Sequence, residues 1–142
     1  MPEFITRENI MTKQNSPLHE LIKTDLEARD FGFEWPDKNF ILEQILSECT
    51  EVKEAVENNE SEERIQEEIG DLIHCAISLC LFYGYDVEET ISKTEAKFAG
   101  RINALKEVMK EKGIKSLYGA PIEEQLGYWK EGKKRIYEKV NA

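Results

Sequence analysis

Glu48 and Glu51, and again Glu68 and Asp71, form two carboxylate pairs. The three-residue spacing within each pair puts both side chains on one face of a helix. Midway between the pairs lies Asn58-Asn59-Glu60-Ser61, which reads as a turn. Glu51 and Glu68 are equally far from its midpoint, and so are Glu48 and Asp71. An antiparallel helical hairpin would bring each carboxylate level with a partner, on axes about 8–10 Å apart. Two unit charges about 4 Å apart repel by about 4 kcal/mol at an effective dielectric near 20, so such a box needs a cation. Oxygen donors in that number suit Mg²⁺, with Mn²⁺ as the alternative, better than Zn²⁺. The competing reading is an ordinary solvated acidic face, common where 34% of residues are charged. The mirror symmetry favours the metal.

A second pattern is basic. Lys93, Lys97 and Arg101 recur every four residues and drift by about 40° per step, so they line a narrow helical stripe. Beside a metal box such a stripe would grip phosphate oxygens, Arg101 in bidentate fashion. Alone it would read as a solvated face partnered by Glu88, Glu89 or Glu95. Trp35 suits either stacking on a base or stapling a connector to the core. His74 follows Asp71 by three residues, but Ile73, Ala76 and Ile77 around it argue for a packed histidine over a ligand. Trp129 and Tyr137 read as packing residues. Cys49 and Cys75 have no His-Asp company for nucleophilic work.

The elements that must position these residues are all helical. Ser16-Pro17 starts a helix that ends near Gly32, with Leu18, Leu21, Ile22 and Leu26 at helical spacing. Phe33 to Asp37 is an aromatic connector. Ile41, Ile45, Cys49, Val52 and Val56 stripe a helix from about Lys38 to Glu57. Ser61 opens the next, whose apolar arc from Ile65 to Cys80 is wide enough to need burial on several sides. Gly84-Tyr85 breaks it. Asp86 to Glu89 reads as a capping box for a fourth helix running to Gly113. A helical, peripheral segment fills 120–142. The expected architecture is an all-α helical bundle with a central antiparallel hairpin, completed by oligomerisation. It forms one domain over 1–142, with its motif-bearing core at about 35–110.

Composition bounds the partners. The chain has 142 residues, 40% of them hydrophobic, and a formal charge of −10 with no basic run. That argues for a globular protein and against polymeric nucleic acid. No apolar stretch approaches a membrane span, and Met1 to Gln14 lacks the apolar core of a signal peptide. Cys49, Cys75 and Cys80 sit in apolar helical patterns without a CxxC spacing, as reduced core thiols of a cytoplasmic protein would.

From Trp35 to Arg101 the chain resembles the MazG-like nucleotide pyrophosphohydrolases, relatives of dimeric dUTPases, dCTPases and phosphoribosyl-ATP pyrophosphohydrolases. The resemblance rests on Glu48-x-x-Glu51 followed, after residues 52–67, by Glu68-Ile69-Gly70-Asp71, similar to the family's EExxE…ExxD. It is supported by the Trp35 connector and by Lys97-Phe98 with Arg101. Ser47 stands where the motif has its first Glu, and Thr94 where relatives often carry Asn. The resemblance implies Mg²⁺-dependent cleavage of a nucleoside triphosphate between its α- and β-phosphates, giving a monophosphate and pyrophosphate. The implied metal ligands are Glu48, Glu51, Glu68 and Asp71, with Glu51 also orienting or deprotonating water. Lys93, Lys97 and Arg101 would hold the phosphates, and Trp35 the base. A homodimer or homotetramer follows both from the family and from the apolar arc after Ser61. The alternatives are phosphoribosyl-ATP or one pyrimidine dNTP as substrate, or a catalytically weak helical oligomer that binds nucleotide or protein.

Overall fold

Side-chain caps define where the first three helices begin. Ser16 accepts a hydrogen bond from the His19 amide at 3.2 Å and starts α1 (Pro17–Asp30), with proline inside the first turn. Asp37 accepts from the Phe40 amide at 3.0 Å and starts α2 (Lys38–Glu57). Ser61 accepts from the Arg64 amide at 3.2 Å and starts α3 (Glu62–Phe82). Each cap satisfies a donor that the first helical turn leaves without a partner. The turn between α2 and α3 places Asn59 at φ 51°, a left-handed conformation that asparagine tolerates. Gly84, at φ 75°, follows the end of α3 where a side chain would be strained.

The computed structural model describes residues 16–142. Among them are five helices and no strand, the remaining two being α4 (Val87–Glu111) and α5 (Ile122–Val140). The all-α expectation holds. No helix among the described residues is long and apolar enough to cross a membrane. Met1 to Gln14 lie outside the described residues.

Two compact units divide after Val87. In the first, α2 and α3 form the expected antiparallel hairpin, and α1 lies against α3. Its core includes Ile41 and Ala55 of α2 with Cys75 and Ile77 of α3. The wide apolar arc of α3 is only partly covered: Ile69 and Ile73 are exposed, as are Leu42 and Leu46 of α2. The second unit contains α4 and α5. Gly132 of α5 sits so close to α4 that an added Cβ would meet the Leu105 nitrogen at 3.2 Å and the Ala104 Cβ at 3.3 Å. Arg135 reaches back to Glu111 with two hydrogen bonds, at 2.9 and 2.6 Å. Phe98 and Trp129 pack with ring centroids 6.2 Å apart.

Three packing expectations need correction. Cys49 is exposed, because the buried stripe of α2 runs through Ile41, Glu48 and Ala55 and turns Cys49 outward. Tyr137, near the free end of α5, is exposed, whereas Trp129 does pack. His74 is not a packed core residue but is half-exposed, with a polar partner on α1.

Candidate metal centre and adjoining cleft

The face that α2 and α3 turn toward each other carries Glu48 and Glu68, both more than nine-tenths buried. One oxygen of each is satisfied from its own helix, four residues upstream. Gln44 Nε2 donates to Glu48 Oε1 at 2.9 Å, and Arg64 pairs with Glu68 Oε1 at 2.8 Å. The second oxygens, Glu48 Oε2 and Glu68 Oε2, are buried without a hydrogen-bond partner. Asp71, one turn beyond Glu68, completes a trio whose ligand oxygens all lie within 4.8 Å of one another. Buried anions are stable only when paired, hydrogen-bonded or bound to a metal. Two orphaned oxygens converging from facing helices therefore fit a divalent cation.

Glu51 lies at the exposed edge of the trio. The hydrogen bond that Glu51 can donate to Glu48 only when protonated, the repulsion between the two, and then the same effects from Glu68 push its carboxyl up to about 7. Like charges crowded together favour the protonated form. Cys75 sits one turn past Asp71. Burial, and then the negative charges of Glu48, Asp71 and Glu51, raise its pKa and keep it a thiol. That excludes Cys75 as a ready nucleophile.

A cleft of about 430 Å³ opens between α1, the connector and α3. Its apolar walls include Leu21, Phe33, Trp35 and Phe40. Polar groups converge on its floor. Trp35 Nε1 donates to Ser78 Oγ at 2.8 Å, and Arg29 donates to the Ser78 carbonyl and hydroxyl at 2.9 and 3.2 Å. Arg29 also pairs with Asp25 at 2.8 Å, while His74 Nε2 lies 3.0 Å from the other Asp25 oxygen. Burial works to raise the Asp25 pKa, but hydrogen bonds from Arg29, His74 and Ser78 outweigh it and hold the carboxyl below its ordinary value. Trp35 thus does staple the connector to α3, and it also presents its ring to the cleft.

Of the residues singled out in the sequence, Glu48, Glu51, Glu68 and Asp71 come together on the hairpin, and Trp35 lines the cleft in the same unit. Lys93, Lys97 and Arg101 belong to the second unit. Lys93 pairs with Glu89 at 3.3 Å, Lys97 is exposed, and Arg101 is half-buried. Sequence reasoning missed Gln44 and Arg64, although their four-residue spacing to Glu48 and Glu68 was a legible signal. It also missed Asp25, Arg29 and Ser78. Asp25 and Arg29 share a four-residue spacing too, but what gathers them and Ser78 into one network are partners 43 to 49 residues away.

A helical hairpin that carries such a carboxylate trio is suited to hold a cation, and comparison with known proteins adds to that. Residues 37–105 match the MazG nucleotide pyrophosphohydrolase domain. The chain is 33% identical over 106 residues to the Thermotoga maritima protein named nucleoside triphosphate pyrophosphohydrolase/pyrophosphatase MazG. That match covers 75% of this chain and 40% of the relative. It is 23% identical over 114 residues to the nucleoside triphosphate pyrophosphohydrolase of Escherichia coli K12, covering 80% of this chain and 43% of that protein. The chain thus spans about two-fifths of the length of the curated relatives it matches.

Proposed function

We propose that this chain is a Mg²⁺-dependent nucleoside triphosphate pyrophosphohydrolase, with Mn²⁺ as an alternative metal. The observation that carries the reading is the pair of buried, unpartnered oxygens on Glu48 and Glu68, set beside Asp71 in a MazG domain. Glu48, Glu68 and Asp71, with Glu51 at their edge, would hold the cation. When bound, it would polarise phosphoryl oxygens and lower the pKa of a nearby water.

Gln44 and Arg64 anchor one oxygen of Glu48 and of Glu68, so the other oxygen of each stays aimed inward. Glu51 would orient the attacking water and take its proton. Water adds to phosphorus, the bridging oxygen between the α- and β-phosphates leaves, and the products are a nucleoside monophosphate and pyrophosphate. Lys93, Lys97 and Arg101 would neutralise the charge that grows on the departing pyrophosphate. Trp35 would stack on the base. The exposed Leu42, Leu46, Ile69 and Ile73 support assembly as a homodimer or homotetramer, which would cover them.

The test is pyrophosphate release from a panel of NTPs and dNTPs. Turnover should require Mg²⁺ or Mn²⁺ and stop with EDTA. Glu48→Gln and Asp71→Asn should each remove most of it while helical content is retained. Full activity in both variants would refute the site.

A further inference from the structure

We infer that His74 is a specificity-determining residue that reads a sugar hydroxyl of the nucleotide, with Asp25 setting which ring nitrogen is presented. The inference rests on the pyrophosphohydrolase reading, but it concerns a different part of the molecule from the metal trio. Asp25 is held as a carboxylate at neutral pH by Arg29, His74 and Ser78, so its oxygen 3.0 Å from His74 Nε2 requires a donor there. A neutral His74 is thereby fixed with its proton on Nε2 and its lone pair on Nδ1. The ring lines the cleft and its side chain is 46% exposed, so Nδ1 is an acceptor within reach of a ligand.

Position along α3 says which part of a ligand that is. From Asp71, His74 lies about 4.5 Å and Ser78 about 10.5 Å further along the axis, both within about 60° of the same face. A nucleotide runs phosphate, sugar, base, and α3 runs Asp71, His74, Ser78 with Trp35 bonded to Ser78. With phosphates at the carboxylates and the base against Trp35, the sugar comes level with His74. A hydroxyl is the donor that the sugar offers to an Nδ1 acceptor. A polar group placed to bond a substrate hydroxyl discriminates against the analogue that lacks it.

The experiment compares kcat/KM for ATP, 2′-deoxy-ATP and 3′-deoxy-ATP, and for the cytidine series, in the parent and in two His74 variants. The parent should disfavour one of the two deoxy analogues by roughly two- to tenfold, the range of one neutral hydrogen bond. His74→Ala should erase that ratio by lowering the rate only for the nucleotides that carry the hydroxyl it reads. His74→Asn, whose carbonyl oxygen can stand in for Nδ1, should restore part of the ratio. A parent indifferent to both hydroxyls would overturn the inference, and so would a His74→Ala that slows all analogues equally. If the parent hydrolyses no triphosphate, it is the pyrophosphohydrolase reading that fails. Calorimetric titration with AMP, 2′-deoxy-AMP and 3′-deoxy-AMP then decides on His74 by the same ratios.

Discussion

Glu68→Gln separates the stability of the hairpin from the task of its carboxylates. Glu68 is 4% exposed, and the ligand oxygens of Glu48, Glu68 and Asp71 lie within 4.8 Å of one another. At that separation two unit charges repel by about 3 kcal/mol at an effective dielectric near 20. Removing the charge on Glu68 relieves the repulsion, and the new amide can donate to Glu48 Oε2, which has no partner. Against this stands the lost ion pair with Arg64, which is 55% exposed and keeps Glu67 at 3.2 Å. With its Arg64 end exposed and its Glu68 end buried, that pair contributes about 1 kcal/mol. The net expectation is a metal-free protein more stable by about 2 kcal/mol, a rise of roughly 5–10 °C in Tm for a chain of this size. The assay is thermal unfolding followed by circular dichroism in EDTA and again in millimolar Mg²⁺. The parent should gain Tm with Mg²⁺ by mass action, and Glu68→Gln should lose most of that gain while its metal-free Tm rises. A variant that melts lower in EDTA and keeps the full Mg²⁺ response would refute the reasoning.

Three further outcomes can be measured. The Glu51 carboxyl is pushed from 4.5 up to about 7, so its proton-linked stability is complete below about 4.5 and is lost as pH rises through 7. In EDTA the parent Tm should therefore fall between pH 5 and 8, more steeply than that of Glu51→Gln; equal slopes would discount the crowding of Glu51 by Glu48 and Glu68. Lys97→Ala and Arg101→Ala should each lower kcat/KM for triphosphates by roughly ten- to a hundredfold, the value of one charge-assisted hydrogen bond. Arg101→Lys should recover only part of the loss, and parent-like kinetics in both alanine variants would return the stripe to the surface. Ser78→Ala removes the buried hydroxyl shared by Trp35, Arg29 and Asp25, at a cost of about 1–3 kcal/mol in denaturant unfolding. An unchanged midpoint would mean that the network holds nothing in place.

What the sequence determined by itself is what depends on spacing along one helix. The three-residue intervals of Glu48–Glu51 and Glu68–Asp71, mirrored about Asn58–Ser61, put each pair on one face of its helix and each acid level with a partner across a hairpin. The 3.6-residue period is what makes that legible. The caps at Ser16 and Ser61 were legible for the same reason, since a cap bonds an amide three residues away. Only the tertiary structure decided matters that depend on partners remote in sequence. The three-residue interval alone does not make Glu48 and Glu68 deeply buried while Glu51 stays exposed; that follows from which side of α2 meets α3. Nor does it reveal that one oxygen on each of Glu48 and Glu68 lacks a partner. His74 illustrates the limit most clearly. Its apolar neighbours on α3 suggest burial, yet Asp25, 49 residues earlier, draws it to the cleft instead. Arg29 follows Asp25 by four residues, but the donors on α3 reach that carboxylate only because the fold brings them there, and no local pattern records it.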